Sequence, residues 1–248
     1  MIERKVTLDF SIIGFPKCAT TSIHKTLEEL TDIYMPSYEI QISSLMKGNV
    51  IFPENKRNVG IKNPNIIFEP HNLLALYNSN KNMKFIISMR KPSDWLFSFY
   101  QYRMLEIKNN KPWLDLYLKR NPEYKKITFD DVVYRNREFL GVSRKAGFFV
   151  DYLIDIFEWI PKENILVMMM EEISMNPDDA YSRLFDFLGV NSNSSKFLGV
   201  LANNKSNFYE HRNKYSEQLL FLDDFYEKKN KELNVFLSKN IGYNNVFW

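Results

Sequence analysis

The sequence contains one cysteine, Cys18, among 248 residues. A single cysteine excludes an internal disulfide, and no cysteine and histidine cluster of the kind that holds zinc occurs. No run of about 18 apolar residues is present, so no transmembrane helix is expected. The N-terminus, MIERKVTLDF, lacks the apolar core of a signal peptide. These absences predict a soluble, cytoplasmic protein with no metal site and no membrane partner.

Excess charge of either sign is also small. The 33 Lys and Arg residues against 30 Asp and Glu residues give a net charge of +3. This value is compatible with an anionic ligand, but no basic stripe with interleaved aromatics indicates a nucleic-acid partner. The hydrophobic share of 45% over this length predicts one domain, 1–248, with a sizeable core. The composition leaves the oligomeric state open.

Short apolar runs alternate with helical patterns along the chain. The apolar runs predict strands buried on both faces, as in a parallel sheet, at 10–14, 33–35, 59–61, 84–89 and 165–170. The helical patterns are at 20–30, 67–78, 93–108, 134–159 and 177–188. This alternation predicts an α/β fold, a P-loop-like doubly wound parallel sheet flanked by helices. Ligands of such sheets bind beyond the carboxyl ends of the strands.

The stretch FSIIGFPKCATTSIHKTL, residues 10–27, places a turn and a helix start at such a strand end. Gly14 and Pro16 end the strand, and hydroxyl side chains that can begin a helix follow. The amides and the dipole of a helix N-terminus favour a negatively charged ligand. The stretch therefore predicts an anion cradle.

The order of residues in this cradle differs from that of a Walker loop. A Walker loop places its lysine directly before the hydroxyl residue. Here Lys17 comes early, and Ala19 stands where a second glycine could be. No predicted strand ends on an acidic residue that could hold magnesium. A kinase is disfavoured on these grounds, although a small-molecule kinase stays among the alternatives.

Two motifs together resemble the enzymes that transfer sulfuryl groups from 3′-phosphoadenosine 5′-phosphosulfate (PAPS). GFPKCATTSIHKTL, residues 14–27, is similar to the 5′-phosphosulfate loop of the PAPS-dependent sulfotransferases. RKPSDWLFSFYQYR, residues 90–103, resembles their 3′-phosphate signature. GIKNPNII (60–67) and FYEKKNKELNVFL (225–237) resemble the carbohydrate, heparan-sulfate-type branch. The resemblance touches most of the chain in the expected order.

The resemblance implies PAPS as sulfuryl donor, 3′-phosphoadenosine 5′-phosphate (PAP) as product, and no metal. It places Lys17 at the bridging oxygen, and Arg90 and Ser98 at the 3′-phosphate. The remaining contacts to the 5′-phosphate would come from Cys18, Ala19, Thr20, Thr21 and Ser22. A late cofactor loop would correspond to NNKSNFYEHRNK, with Lys205 and Arg212 as contacts. That loop lacks the family's usual glycine, and Ala19 replaces a usual glycine in the first loop.

The general base of the carbohydrate branch is a glutamate soon after the first helix. Glu39 lies 22 positions after Lys17 and matches that placement. Lys62 would be a second lysine near the sulfuryl group. The cytosolic branch uses histidine instead, but none of the histidines falls in a matching context: His24, His71 and His211.

The acceptor is expected to be a hydroxyl or amine of a sugar or small metabolite, in a bacterial member of the family. The segment 103–145, rich in Lys, Arg, Tyr and Trp, is expected to form a lid on the acceptor side. An alternative on the same fold is a binding protein that holds adenosine bisphosphate without turnover.

Overall fold

The computed structural model describes residues 8–47, 50, 52, 58–190, 212–243 and 248. A five-stranded sheet has the order β2-β3-β1-β4-β5, and each neighbouring pair is parallel. The strands are β1 (Phe10–Ile12), β2 (Ile33–Tyr34), β3 (Asn58–Lys62), β4 (Lys84–Met89) and β5 (Ile165–Met169). Each apolar run that predicted a strand forms one, and the predicted α/β fold with a parallel sheet flanked by helices is confirmed.

Helices connect and follow the strands. Their bounds are α1 (Thr20–Glu28), α2 (Ile42–Met46), α3 (Pro70–Ser79), α4 (Pro92–Lys108), α5 (Asp115–Arg120), α6 (Phe129–Val133), α7 (Phe149–Trp159), α8 (Met170–Met175), α9 (Pro177–Leu188) and α10 (Ser216–Ile241). Several begin with proline, whose fixed φ and missing N–H suit the first helical position. Helix α9 ends where expected, at Leu188, and the Gly189 that follows has a φ of 72°.

The chain divides into two compact units. The first comprises Met1–Arg90 and Ile154–Asn204 and contains the whole sheet. Its core joins sheet residues to residues of α1 and α9, among them Phe10, Ile12, Ile23, Leu27 and Leu184. Continuous apolar strands are buried there because helices cover both faces of a parallel sheet. The prediction that 1–248 acts as one domain stays a prediction.

The second unit comprises Lys91–Leu153 and Lys205–Trp248. Its core is aromatic, and it is centred on α4. The Trp95 ring packs edge-on against the Phe149 ring, with 5.3 Å between the ring centroids, and the centroids of Phe97 and Phe129 lie 5.2 Å apart. Helix α10 packs against α4. At this contact the Asp223 carboxylate accepts hydrogen bonds from the Lys91 ammonium and the Ser93 hydroxyl. The expected lid, 103–145, lies wholly in this unit.

The expected helix over 134–159 is wrong in its first half. Helix α6 ends at Val133, and α7 begins only at Phe149. Between them Asn136, Leu140 and Gly141 adopt positive φ values of 51°, 49° and 81°. A left-handed residue cannot continue a right-handed helix. The apolar residues of this segment, such as Phe139 and Val142, are therefore buried from turns and not from a helix face.

Helix α6 begins with a capping box that makes stability depend on pH. Thr128 and Asp131 exchange side-chain to main-chain hydrogen bonds, and the Thr128 hydroxyl also donates to Asp131. The backbone N–H of Thr128, then its hydroxyl, and more weakly Arg135, lower the pKa of Asp131 to about 2. Because the folded state favours the carboxylate, its stabilisation is present above the ordinary pKa of about 4 and is lost toward pH 2.

Asp131→Asn is therefore expected to lower the melting temperature at neutral pH. It should also flatten the decline of melting temperature between pH 4 and pH 2, because the titrating carboxylate is gone. Thermal unfolding over this pH range measures both effects, with Asp130→Asn in the same helical turn as the matched control. A pH profile of Asp131→Asn that parallels the wild type would contradict this account.

Among the helices in the described part of the chain, none combines the length and the apolar character needed to cross a bilayer.

Candidate functional site

The turn after β1 begins with a glycine that the packing requires. A Cβ placed on Gly14 would lie 2.1 Å from the Ser88 nitrogen and 2.5 Å from the Ile87 Cα atom, both in the backbone of β4. A backbone neighbour cannot rotate away as a side chain can, so any larger residue would push the turn off the sheet. The glycine thus holds the start of the loop against β4.

The loop then takes two left-handed residues in quick succession. Lys17 has a φ of 67° and Ala19 a φ of 64°. Left-handed residues within a turn direct backbone amides toward one side and form a concavity that binds anions. Glycine would adopt this conformation at least cost, so Ala19 carries a Cβ at a position whose backbone favours glycine.

Ala19→Gly is expected to stabilise the protein by about 1 kcal/mol, since it removes the penalty of a left-handed Cβ. Urea unfolding measures the change. Ala75→Gly in α3 is the matched control, since glycine inside a helix should cost about 1 kcal/mol. A destabilising Ala19→Gly would contradict the account of strain in the loop.

Helix α1 presents an uncapped positive end to this loop. Its N-cap residue is Ala19, which makes no side-chain capping bond, and the first turn contains no acidic residue. The Ala19 carbonyl accepts from the amides of Ser22 and Ile23. Thr20 and Ser22 are buried, whereas Thr21 is exposed. The helix dipole at this end is therefore not compensated by a carboxylate of the first turn.

Cys18 is fully buried in the loop. Burial raises the pKa of its thiol well above the ordinary range, and this effect outweighs the charge of Arg90 and a hydrogen bond from the Arg90 backbone, which both lower it. The thiol is therefore protonated, so it serves as a packing group and not as a nucleophile. The contact also shows that Arg90, itself 8% exposed, follows β4 to the same end of the sheet as the loop.

Three predicted site residues from separate segments meet beside this helix end. The Lys62 ammonium, at the end of β3, lies 3.2 Å from Oε1 of Glu39. It also donates to Oγ1 of Thr21 at 3.4 Å. The Lys62 side chain is 13% exposed and that of Glu39 is 44% exposed. A carboxylate open to solvent thus lies beside a mostly covered cation and the first turn of α1.

The other predicted contacts belong elsewhere in the chain. Ser98 is buried on α4 in the second unit. In the same unit, Arg212 donates from Nε to Oδ1 of Asp94 at 3.0 Å, so a phosphate contact would use its remaining N–H groups. Lys205 lies outside the described residues, as does His211.

Two polar residues near the site were not predicted to contribute to it. His24 is buried on α1, and its Nε2 lies 2.8 Å from the Pro36 carbonyl, which suits a structural histidine rather than a base. Asn63 is buried and donates to the Ile40 carbonyl at 3.1 Å. The only signal for Asn63 in the sequence is its place between Lys62 and a proline. Within the described residues, no group of three or more His, Cys, Asp or Glu side chains could hold a metal ion.

Comparison with known proteins gives the class of the chain. The family model described as "Sulfotransferase domain" matches residues 8–239. The chain therefore belongs to the sulfotransferase domain family, whose members are enzymes of sulfuryl transfer. No curated protein matches the sequence.

Solved sulfotransferase structures share the fold. A sulfotransferase from Alicyclobacillus acidocaldarius is 19% identical with a TM-score of 0.57, over 89% of this chain and 96% of that one. Mouse sulfotransferase SULT7A1, complexed with PAP, is 19% identical with a TM-score of 0.52, over 79% of this chain and 64% of that one. The sulfotransferase domain from the curacin biosynthetic pathway is 14% identical with a TM-score of 0.55, over 79% and 78%.

Proposed function

We propose that this sulfotransferase transfers the sulfuryl group of PAPS to a hydroxyl or amine of a sugar or small metabolite. The observation that carries the proposal is the meeting of Glu39, Lys62 and Thr21 beside the start of α1. A base, a second cation and a hydroxyl of the phosphate loop are the groups that such a transfer needs. We further propose a member of the carbohydrate branch, from a bacterium, acting in the cytoplasm.

The residues of the first unit fit PAPS by their chemistry. The left-handed residues Lys17 and Ala19 shape a concavity of amides, and the uncapped end of α1 adds its dipole. Thr20, Thr21 and Ser22 add hydroxyls, and Arg90 brings a planar fork suited to phosphate. The Cys18 and Ala19 backbones would complete the loop. Ser98, Lys205 and Arg212 are proposed as further contacts to the 3′-phosphate or the phosphosulfate.

PAPS, when bound, supplies a sulfuryl group attached to a phosphate that can leave. We assign to Lys17 the neutralisation of negative charge on that phosphate, since fixed positive charge is most effective where charge develops. Lys62 would hold a second positive charge close to the acceptor. This scheme assigns every step to side chains and loop amides and asks for no metal.

Glu39 is proposed as the general base. The acceptor oxygen or nitrogen must lose its proton as its bond to sulfur forms and the bond from sulfur to the phosphate oxygen breaks. Oε1 of Glu39 faces the Lys62 ammonium, so Oε2 is the oxygen proposed to take the proton. The exposure of this carboxylate leaves room for an acceptor to approach it.

The segment 103–145 is proposed as the acceptor-side lid. Within it Leu114 and Leu118 are buried anchors, whereas Trp113 and Tyr117 are 46% and 52% exposed. Exposed rings of this kind suit the apolar face of a sugar or a flat metabolite. Exchanging the segment should therefore change acceptor choice more than cofactor affinity.

The proposal is tested by incubating the protein with PAPS and a panel of sugars, amines and hydroxylated metabolites. Mass spectrometry is expected to find a product heavier by one sulfuryl group, together with PAP. Glu39→Gln is the negative control, and ATP with magnesium replaces PAPS as the rival donor. Binding of PAP without transfer to any acceptor would favour a non-catalytic binding protein, and phosphoryl transfer from ATP would favour a kinase.

A further inference from the structure

The segment that carries Glu39 is an exposed arch with buried ends. It runs from 35 to 41, between β2 and α2. Pro36 and Ile40 are buried, whereas residues 37–39 are exposed. The position of a catalytic carboxylate on an exposed arch would vary unless the ends of the arch were fixed.

One end is fixed from α1. His24, which is 5% exposed, lies with Nε2 2.8 Å from the Pro36 carbonyl oxygen. A carbonyl oxygen only accepts, so Nε2 must carry the proton and donate it. His24 lies four residues after Thr20, on the helix that begins at the phosphate loop. The bond therefore ties the arch to the same rigid element that forms the anion cradle.

The other end is fixed from β3. Asn63, also 5% exposed, donates from Nδ2 to the Ile40 carbonyl at 3.1 Å. Its Oδ1 accepts from the Asn65 amide, which fixes the orientation of the side-chain amide. Asn63 directly follows Lys62, whose ammonium pairs with Glu39. Adjacent residues thus hold the carboxylate and the main chain beside it.

We propose that His24 and Asn63 are positioning residues that hold the arch and thereby set the place of Glu39 relative to the cradle. The inference rests on Glu39 as the base, which is part of the proposed function. Both bonds lie deep under the arch and span 12 and 23 positions of sequence, so they join three separate elements. A displacement of about 1 Å in a reacting group can cost up to about 10²-fold in rate.

His24→Leu removes the donor at similar volume, and His24→Gln keeps an N–H donor at similar reach. We expect His24→Leu to lower kcat roughly 10- to 100-fold with unchanged affinity for PAP, and His24→Gln to restore most of the rate. In a Glu39→Gln background His24→Leu should cause no further loss, because it acts through the base. An equal loss in both backgrounds would overturn the proposal.

Asn63→Ser provides the second variant. Serine can still begin the following turn, but it is too short to reach the Ile40 carbonyl. Hydrogen exchange of the amides at 37–41 should become faster in Asn63→Ser and in His24→Leu, while exchange in β1 stays unchanged. This readout needs no substrate. Unchanged exchange at 37–41 would overturn the proposal that His24 and Asn63 hold the arch. A wild type that transfers no sulfuryl group would contradict the proposed function instead.

Discussion

Glu39→Gln is expected to lower kcat for sulfuryl transfer by about 10²- to 10⁴-fold, the usual share of a general base. Glutamine has nearly the same shape but cannot accept the acceptor's proton. The loss should fall on kcat, because Glu39 is assigned to the acceptor and not to the cofactor. Initial rates at saturating PAPS, together with calorimetry of PAP binding, measure the two effects separately.

Glu163→Gln is the matched control for this experiment. It changes an exposed glutamate of the same unit, in the turn before β5, and should leave the rate unchanged. Near-normal turnover by Glu39→Gln would refute the assignment of the base. The contact between Glu39 and Lys62 would then be an ordinary surface ion pair, of the kind that contributes little.

Lys17→Ala should lower kcat by about 10²- to 10³-fold, comparable to the loss of one preorganised donor at a developing charge. It should also weaken PAP binding, because the loop loses its cation. Alanine retains a Cβ, so it alters the left-handed backbone at this position less than glycine would. Single-turnover rates and PAP titrations separate loss of chemistry from loss of binding.

Lys25→Ala, which changes an exposed lysine in the last turn of α1, is the control for Lys17→Ala. It removes the same charge at the end of the helix opposite to the phosphate loop. Equal effects of the two substitutions would mean that only the overall charge matters. The assignment of Lys17 to the leaving phosphate would then be wrong. A large loss confined to Lys17→Ala would support it.

The sheet could be predicted because its strands are short apolar runs bounded by clear breaks. KFIISM was expected at 84–89 and forms β4 over the same residues, and α9 also matches its prediction. Parallel strands that are covered on both faces appear in the sequence as continuous apolar runs, so their positions are easily recognised. The prediction for the region after Val133 was wrong because apolar residues that pack a turn can have the same spacing as those of a helix. Asn136 and Gly141 are residue types that tolerate a positive φ, whereas Leu140 is not.

The site was only partly predictable from sequence. The phosphate loop is one continuous stretch, so its pattern is visible in the order of residues. The resemblance predicted Glu39 as the base and Lys62 near the sulfuryl group, but it did not predict the ion pair between them. The donations from His24 and Asn63 to main-chain carbonyls carry no pattern in sequence, because any residue supplies a carbonyl.

Calorimetric titration with PAP, beside ATP, tests the central claim most directly. The account predicts that the wild type binds PAP tightly and ATP poorly, and that Arg90→Ala weakens PAP binding through loss of a phosphate contact. A wild type that binds ATP but not PAP would mean that the loop from Gly14 to Thr21 holds another anion, and the assignment of PAPS as donor would be contradicted.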